Sequence, residues 1–266
     1  MKRIKELMNL SGQCAVITGG GGHFGKAFGL TLAELGANVV LVDVNDDLLK
    51  SAKNEIKSQW NVEVTTFTCD LESEKERTDL ISFIKLHFKI NILINNAAFA
   101  GTSDLKGWVV PFEQQTVDTW RRALEVNLTA VFHLTKELFN ESSEKCKGTI
   151  INVSSIYGIL GPDMSLYDDT SMGNPAAYAA SKGGMIQLTR WLSTVMAPYV
   201  RVNCISPGGV ERGQPKVFQE KYISRTPLGR MGTEDDMTGI IAYLASDLSK
   251  YVTGQNIVVD GGWTVW

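Results

Sequence analysis

The sequence has few of the residues that metal centres and disulfide frameworks require. Its 266 residues include four cysteines and three histidines, no two cysteines have the C-x-x-C spacing, and the histidines lie far apart. Cys14, Cys69 and Cys204 lie in apolar, strand-like runs, and the fourth cysteine is Cys146. We therefore expect reduced, buried thiols, and we predict no metal site.

A strong charge bias and long apolar runs are also missing. The formal net charge of −3 at pH 7 gives no indication of a nucleic-acid partner or of binding to an anionic membrane. The basic N-terminal residues Lys2, Arg3 and Lys5 are not followed by the apolar core of a signal peptide, and no apolar stretch reaches the roughly 20 residues that span a bilayer. We expect a cytoplasmic protein.

Short apolar runs alternate along the chain with longer amphipathic segments. The predicted strands are Cys14–Thr18, Asn38–Asp43, Val62–Cys69, Ile90–Asn95, Thr149–Ser154, Arg201–Ile205 and Asn256–Val259. The predicted helices are Phe24–Leu35, Asp46–Ser58, Glu74–Phe88, Val117–Asn140, Ala176–Met196 and Glu234–Ser246. The alternation predicts one α/β domain over residues 1–266, with a doubly wound parallel sheet of seven strands and helices on both faces.

Two segments interrupt this alternation, residues 157–174 and 208–233. Both follow a predicted strand, and both contain glycine and proline. In open parallel sheets the ligand crevice lies at the carboxyl ends of the strands, so these segments are candidate substrate loops. The alternative is that they are plain surface excursions.

A glycine-rich loop follows the first predicted strand. Gly20, Gly22 and Gly25 have the spacing G-x-G-x-x-G, with a strand before them and a helix after, which is typical of dinucleotide binding. Asp43 ends the second strand about 20 residues later, where a carboxylate holds the adenosine ribose hydroxyls and repels a 2′-phosphate. NAD is therefore favoured over NADP, although Asp43 could instead be an acidic residue at a helix N-terminus.

Tyr178 and Lys182 are four residues apart at the start of a predicted helix, which puts both side chains on one face. A free tyrosine has a pKa of about 10, and a nearby ammonium lowers the pKa of a phenol. The pair can therefore transfer protons. The alternative is an exposed pair on a helix surface.

Further motifs surround this pair. They are Ile151-Asn-Val-Ser-Ser155-Ile-Tyr-Gly158, Arg201-Val-Asn-Cys-Ile-Ser-Pro207-Gly208, Asn95-Asn96-Ala97, Leu124-Glu-Val-Asn127-Leu-Thr129, and Val259-Asp-Gly-Gly262 near the end. With these motifs the sequence resembles the short-chain dehydrogenase/reductase family from about Cys14 to Trp263. The resemblance implies a Rossmann-type fold and a cytoplasmic oxidoreductase that exchanges a hydride with a nicotinamide cofactor.

The resemblance also implies roles for individual residues. Tyr178 is the general acid/base, Lys182 lowers its pKa and binds the nicotinamide ribose, Ser155 rather than Ser154 binds the reacting oxygen, and Asn127 helps to hold a water relay. The implied cofactor-binding residues are Gly19, Gly22, His23, Phe24, Gly25, Asp43, Val44, Asp70, Leu71, Asn96, Ala97, Ala98, Tyr178, Lys182, Pro207, Gly208 and Val210. A homotetramer or homodimer is expected, with contacts through the helices Val117–Asn140 and Ala176–Met196.

The sequence departs from the family pattern at the cofactor loops. His23 stands where the middle glycine of the phosphate loop is usual. Either Gly22 supplies the close approach in a shifted loop, or His23 packs beside the pyrophosphate, or its side chain faces solvent. Ala98 replaces a glycine after Asn96-Ala97, and Arg212 replaces a threonine that often contacts the carboxamide. Arg212 is thus predicted to lie near the substrate crevice.

The serine and tyrosine are further apart than the family pattern implies. The inserted stretch, residues 161–173, contains Asp163, Tyr167, Asp168 and Asp169. We expect it to shape a polar pocket for a small sugar-related or amino-bearing substrate and to disfavour acyl substrates. Together with Ser206-Pro-Gly-Gly-Val210 and Arg225-Thr-Pro-Leu-Gly-Arg-Met-Gly232, the stretch resembles a bacterial branch linked to flagellin modification and nonulosonic, legionaminic-type sugar biosynthesis. That resemblance implies a sugar-related substrate, with or without a phosphate, and Arg212 and Lys216 as candidate anion contacts.

Other functions are compatible with this sequence. One is a dehydrogenase of another polar alcohol or polyol. Another is a non-catalytic dinucleotide sensor on the same fold. A sensor would be expected to lose Tyr178 or Lys182, and both are present.

Overall fold

Each of the apolar runs forms a strand, and the strands pair in one parallel sheet. A computed structural model describes residues 1–99, 105–140 and 147–266. The strands are β1 Cys14–Thr18, β2 Asn38–Asp43, β3 Val64–Thr68, β4 Ile92–Asn95, β5 Gly148–Val153, β6 Val200–Pro207 and β7 Asn256–Val259. They form a seven-stranded sheet in the order β3-β2-β1-β4-β5-β6-β7, with all pairings parallel. The predicted sheet is confirmed.

Helices cover the sheet on both sides, as predicted. They are α1 Ile4–Met8, α2 His23–Glu34, α3 Asp46–Gln59, α4 Glu74–His87, α5 Val117–Leu124, α6 Ala130–Leu138, α7 Ala176–Met196, α8 Lys216–Ser224 and α9 Asp235–Ala245. Ala15 and Ile17 of β1 face one core with α2, α3 and α9, whereas Val16 faces a second core with α4, α6 and α7. Successive strand side chains point to opposite faces, so both surfaces of the sheet are apolar and buried.

The sequence patterns missed three local features. The short helix α1 has no buried residue, so no apolar periodicity marks it. Helix α8 lies inside the predicted loop of residues 208–233. The predicted helix Val117–Asn140 ends at Leu138 and contains a π-helical turn, Glu125–Thr129, between α5 and α6. A π turn is defined by its i to i+5 backbone hydrogen bonds, which the sequence pattern does not show.

The direction of the chain across the sheet reverses at β1. This strand pairs with β2 on one side and with β4 on the other. The loops that leave β1 and β4 at their carboxyl ends therefore diverge to opposite faces and open a crevice between them. The glycine-rich loop after β1 and the residues Asn96 to Ala98 after β4 form its two sides.

The structure also shows the environment of the cysteines and the length and apolar character of the helices. Cys14, Cys69 and Cys204 are buried, free thiols, and burial raises the pKa of Cys204 to about 12. Cys146 lies outside the described residues. Within residues 1–99, 105–140 and 147–266, none of the helices has the length and apolar character needed to cross a bilayer.

Candidate active site

Two glycines shape the loop between β1 and α2. Gly19 has a φ of 64°, a left-handed conformation that glycine adopts without strain. A Cβ atom on Gly25 would lie 2.0 Å from the Gly19 carbonyl oxygen, so only glycine lets α2 come this close to the loop. Helix α2 begins at His23 after Gly22, which has no side chain to cap it. The first N–H groups of α2 are therefore open to phosphate oxygens.

Thr18 joins this loop to the one after β4. Its hydroxyl oxygen accepts hydrogen bonds from the backbone N–H groups of Asn96 and Ala97, each at 3.1 Å. The Asn96 side-chain amide donates back to the carbonyl oxygens of Thr18 at 3.0 Å and Gly19 at 3.2 Å. These four contacts hold the two sides of the crevice at a constant separation.

Asp43 lies at the end of β2, on the outer side of the glycine-rich loop. Its carboxylate accepts hydrogen bonds from the N–H groups of Gly21 and Asn45, each at 3.0 Å. Both donors are neutral backbone groups, so the carboxylate keeps its full negative charge while it is oriented along the crevice.

The crevice forms a groove of about 490 Å³. Thirteen predicted cofactor residues line it: Gly19, Gly22, His23, Phe24, Asp43, Asn96, Ala97, Ala98, Tyr178, Lys182, Pro207, Gly208 and Val210. Four others lie outside this lining. Gly25 is buried within α2, Val44 and Asp70 are exposed, and Leu71 packs in the core next to α4. The uncapped helix, the cradle that Gly25 permits and the Asp43 carboxylate fit a dinucleotide.

Ser155 and Tyr178 meet where this groove ends. Ser155 follows β5, Tyr178 lies in the first turn of α7, and the two side chains interact. Burial raises the pKa of Tyr178, while the Ser155 hydrogen bond and the charge of Arg212 lower it. Lys182, predicted to lower this pKa, has its ammonium 5.7 Å from the Tyr178 ring centre and instead donates to the Val153 carbonyl at 2.8 Å.

Burial also changes the ionisation of Lys182. The side chain is fully enclosed, and burial lowers its pKa to about 8. An ammonium that titrates this close to neutrality responds to any charge that enters the groove. Lys182 therefore lines the cofactor groove one helical turn from Tyr178, as a group that can gain or release a proton.

Asn127 lies in the π-helical turn between α5 and α6 and is completely buried. Its amide nitrogen donates to the Ser181 hydroxyl at 2.9 Å, and its amide oxygen accepts from the Phe99 N–H at 2.6 Å. Ser181 precedes Lys182 in α7. The π turn thus directs Asn127 towards the catalytic helix, and such turns occur frequently at functional sites.

Ser154 and Gly158, on either side of Ser155, join the end of β5 to α7. The Ser154 hydroxyl donates to the Lys182 backbone carbonyl at 2.7 Å. A Cβ atom on Gly158 would come within 2.7 Å of that same carbonyl group, so glycine allows the turn after β5 to pack on α7. Ser154 is therefore occupied in joining β5 to α7. This supports Ser155 as the serine that binds the reacting oxygen.

A second cavity, which we call the inner cavity, opens on the same serine and tyrosine. Its volume is about 290 Å³, near the lower limit for small-molecule sites. Its lining consists of Trp108, Val109, Ser155, Ile156, Tyr157, Tyr167, Met172, Gly173, Asn174, Pro175, Tyr178, Gly208, Gly209, Phe218 and Tyr222. Ser155, Tyr178 and Gly208 line both the groove and the inner cavity. A molecule in either space would reach the same hydroxyl groups.

The predicted carboxylates of the inserted stretch do not line the inner cavity. Asp163 forms an ion pair with Arg225 and accepts hydrogen bonds from the backbone N–H and hydroxyl of Ser165. Asp168 is exposed. An ionised carboxylate gains more from this cation and from water than from an aromatic pocket. Tyr167 does line the cavity, so the insertion contributes a phenol in place of carboxylates.

An outer cavity of about 630 Å³ adjoins the inner one. Trp108, Val109 and the segment from Met172 to Pro175 line both cavities. Further out the lining includes Pro111, Phe112 and Met164. The approach to the inner cavity is thus largely apolar.

Comparison with known proteins agrees with this geometry. A family model described as enoyl-(acyl carrier protein) reductase matches residues 23–264. A 3-oxoacyl-[acyl-carrier-protein] reductase of Rickettsia felis is 33% identical, covering 96% of this chain and 98% of the relative. The chain belongs to the short-chain dehydrogenase/reductase family. It is therefore an oxidoreductase with a pyridine nucleotide cofactor.

Solved structures of short-chain dehydrogenases match over nearly the whole chain. One from Leptospira borgpetersenii with bound NAD⁺ is 33% identical, with a TM-score of 0.82 over 99% of this chain and 96% of that one. Another, described as an NAD(P)-dependent gluconate 5-dehydrogenase from Beutenbergia cavernae with bound NADP, is 28% identical, with a TM-score of 0.83 over 98% and 100%. Structures of the family thus hold either nucleotide.

This short-chain dehydrogenase departs from its family at His23 and Arg212. The Arg212 guanidinium lies 4.9 Å from the centre of the Phe24 ring and 3.0 Å from the Glu234 carboxylate, and the His23 imidazole is 3.9 Å from the same carboxylate. His23 remains largely exposed at the start of α2. Arg212 lines the cofactor groove and is not among the residues of the inner cavity. Glu234 and Phe24 hold Arg212 over the groove, and its place near the substrate stays a prediction.

Sequence reasoning missed several residues of the inner cavity in this dehydrogenase. Phe218 and Tyr222 come from α8, and their spacing of four residues is an amphipathic signal that would have revealed them. Tyr157 lies in the motif from Ile151 to Gly158, but the sequence alone assigns no role to it. Trp108 and Asn174 stand in segments without regular periodicity, so only the tertiary structure brings them together.

Metal-binding groups are not gathered in this site. Across the described parts of the chain, no three His, Cys, Asp or Glu side chains are close enough to hold a metal ion. The polar groups at the junction of the two spaces are instead hydroxyl, amide and ammonium groups. Such groups donate, accept and transfer protons.

Proposed function

We propose that the chain is an NAD(H)-dependent oxidoreductase that interconverts an alcohol and a carbonyl on a small, polar, sugar-related substrate. The observation that carries this proposal is that Ser155 and Tyr178 interact and together line both the cofactor groove and the inner cavity. A substrate oxygen bound there would accept hydrogen bonds from both hydroxyls, while its carbon faces the groove.

The protein supplies the proton and the polarisation, and the bound nicotinamide supplies or accepts the hydride. In carbonyl reduction Tyr178 donates its proton to the carbonyl oxygen while Ser155 stabilises the developing charge. Because burial raises the pKa of Tyr178, the phenol is protonated at neutral pH and can act as this acid. Lys182, whose pKa is lowered to about 8, then returns a proton to Tyr178. Asn127 is hydrogen-bonded to Ser181, the residue before Lys182, and so links the π turn between α5 and α6 to this part of α7.

The preference for NAD rests on Asp43. Its carboxylate lines the groove and is held by two neutral N–H donors. A 2′-phosphate on the ribose would meet this negative charge, whereas ribose hydroxyls would donate to it. NAD is therefore the proposed cofactor.

The polar, sugar-related substrate is supported by the chemistry of the inner cavity. Tyrosine rings offer apolar faces to C–H groups, and their hydroxyls offer hydrogen bonds. Tyr157, Tyr167 and Tyr222 contribute both, and Asn174 contributes an amide. The similar structure described as a gluconate 5-dehydrogenase is named for a substrate that is a sugar acid. A role in flagellin modification or nonulosonic sugar synthesis stays a prediction within this proposal, as does a cytoplasmic location.

A second candidate is reduction of a 3-oxoacyl thioester, the reaction in the name of the Rickettsia felis relative. The outer cavity favours it, because Val109, Pro111, Phe112 and Met164 offer an apolar path to the inner cavity. The carboxylates expected to exclude an acyl chain lie elsewhere, with Asp163 paired to Arg225.

We also propose that copies of the chain associate as a homotetramer or homodimer through α5, α6 and α7. Five large apolar side chains on these helices are exposed: Val117, Trp120, Phe132, Trp191 and Val195. Exposed apolar groups of this size on neighbouring helices favour association.

The test is a hydride-transfer assay with purified protein, NADH or NADPH, and a panel of keto-sugars, small hydroxyketones and an acetoacetyl thioester. We expect oxidation of NADH with a polar ketone, and a loss of about a thousandfold or more in kcat for Tyr178→Phe, which keeps the ring and removes the proton. Calorimetry should show that this variant binds NADH as the wild type does. Turnover of the thioester alone would support the second candidate, and unchanged kcat in Tyr178→Phe would refute the mechanism.

A further inference from the structure

Three side chains of the inner cavity form a polar relay that the proposed chemistry does not use. The Tyr167 hydroxyl donates to the Tyr157 hydroxyl at 2.8 Å. The Asn174 side-chain amide interacts with Tyr167 and opposes the rise in the Tyr167 pKa that burial causes. All three residues line the inner cavity beside Ser155 and Tyr178. Two of them, Tyr167 and Asn174, come from the segment before α7.

Each end of the relay has a free hydrogen-bonding function. Among the residues that the structure describes, the buried side-chain oxygen of Asn174 has no hydrogen-bond partner. At the other end, Tyr157 accepts from Tyr167, which leaves its own proton to donate. Burial raises the pKa of Tyr157, so the phenol keeps that proton. The relay thus offers one acceptor and one donor, and a buried acceptor without a partner costs free energy until a ligand meets it.

The relay is tied to both catalytic residues. Tyr157 follows Ser155 by two positions, and its N–H donates to the Ser155 hydroxyl oxygen at 3.2 Å. Asn174 precedes Pro175, the residue before α7, whose first turn contains Tyr178. The free acceptor and donor therefore belong to segments that adjoin the two residues of the reacting centre.

We propose that Tyr157 and Asn174 bind a second hydroxyl group of the substrate, close to the carbon that exchanges hydride. A hydroxyl is the group that accepts from Tyr157 and donates to Asn174 with a single atom. The substrate class is accordingly a vicinal diol and its α-hydroxy ketone. This inference rests on the proposed function, and it specifies which alcohols the site selects.

Tyr167 acts in this arrangement as a positioning residue. Its ring packs on Phe218 of α8, with the ring centres 5.6 Å apart, and its hydroxyl joins Asn174 to Tyr157. The inserted stretch and α8 together fix the position of the Tyr167 ring, and with it the position of the hydroxyl that donates to Tyr157. Removal of the Tyr167 hydroxyl should loosen both ends without altering the shape of the cavity.

The first experiment compares reduction of 2-hydroxycyclohexanone and cyclohexanone by the wild type with NADH. The wild type should prefer the hydroxyketone by about tenfold or more in kcat/KM. Asn174→Ala and Tyr157→Phe should each lower this ratio by about tenfold, and Tyr167→Phe should lower it less. Asp168→Asn, an exposed change in the same stretch, is the control and should keep the ratio. Equal ratios in the wild type and both end variants would overturn the proposal.

The second experiment needs no turnover. Calorimetry measures the affinity of cyclohexane-1,2-diol and of cyclohexanol for Tyr178→Phe saturated with NAD⁺, with and without Asn174→Ala. We expect the added substitution to weaken diol binding about tenfold and to leave cyclohexanol binding unchanged. An equal loss for both ligands, or no binding of the diol, contradicts the proposal. If the wild type reduces neither ketone while diol binding responds to Asn174→Ala, the proposed function fails and the hydroxyl site stands.

Discussion

At the scale of single residues, the site depends on where each polar group finds its partner. Ser155 and Tyr178 interact where the two cavities meet, whereas the Lys182 ammonium donates a hydrogen bond to a backbone carbonyl. The raised pKa of Tyr178 and the lowered pKa of Lys182 have one physical cause, since burial disfavours the charged form of both groups. Burial therefore keeps the Tyr178 phenol protonated and makes the Lys182 ammonium a stronger acid than a free lysine.

Asp43 allows a test of cofactor choice at this scale. Asp43→Asn keeps an acceptor for the Gly21 N–H but removes the negative charge from the groove. We expect the ratio of the Kd for NADP⁺ to the Kd for NAD⁺ to fall about tenfold, because about 1.4 kcal/mol of repulsion is removed. Calorimetric titration with both nucleotides measures the ratio.

The matched control is Asp47→Asn, on a carboxylate of α3 that is 96% exposed. This variant should bind both nucleotides as the wild type does. A wild type that binds NADP⁺ more tightly than NAD⁺, or an Asp43→Asn ratio that equals the wild-type ratio, would show that Asp43 does not select NAD.

At the scale of elements, the cofactor groove depends on how closely α2 packs against the loop after β1. The approach is set at Gly25, which the sequence motif identified, but the reason appears only in three dimensions. A Cβ there would overlap the Gly19 carbonyl. The π-helical turn at Asn127 and the short turn at Gly158 have comparable effects on α7, since each directs a side chain or brings a backbone segment to the catalytic helix.

The prediction at this scale concerns Gly25→Ala. We expect the variant to lower the melting temperature by several degrees and to weaken nucleotide binding at least tenfold, because the loop and α2 must separate to admit the methyl group. Thermal denaturation and calorimetry measure the two effects. Gly239→Ala is the control, since its Cβ on α9 would meet no atom within 4 Å and alanine favours a helix. A Gly25→Ala protein as stable as the wild type would be inconsistent with this account.

At the scale of the whole molecule, the exposed apolar residues of α5, α6 and α7 point to self-association. Trp191 is 54% exposed on α7, which also contains Lys182, and Phe132 is 46% exposed on α6, which follows the π turn of Asn127. An interface built here would stiffen the helices that carry the catalytic residues. Assembly and activity are then expected to depend on each other.

The corresponding prediction concerns Trp191→Ser. We expect the wild type to be an oligomer by light scattering after size-exclusion chromatography, and we expect Trp191→Ser to shift the population towards smaller species. Leu86→Ser, on the α4 leucine that is 78% exposed, should leave the mass unchanged. A monomeric wild type at micromolar concentration would rule out the proposed assembly.

The sequence by itself determined the sheet, most of its helices and the residues that meet at the catalytic junction. Periodicity and glycine spacing are local properties, so Tyr178, Lys182, Gly25 and Asp43 could be recognised without the fold. The sequence did not predict the exact strand lengths, the π turn or helix α8, because hydrogen bonding and packing between distant segments determine them.

The tertiary structure alone decided what surrounds a substrate. The sequence placed carboxylates in the inserted stretch beside the reacting centre, but Asp163 turns to Arg225, which is distant in the chain. Tyr157, Tyr167 and Asn174 form the relay instead. The physical reason is that a charged side chain is stable beside an opposite charge or in water, and only the folded chain determines which partners lie within reach.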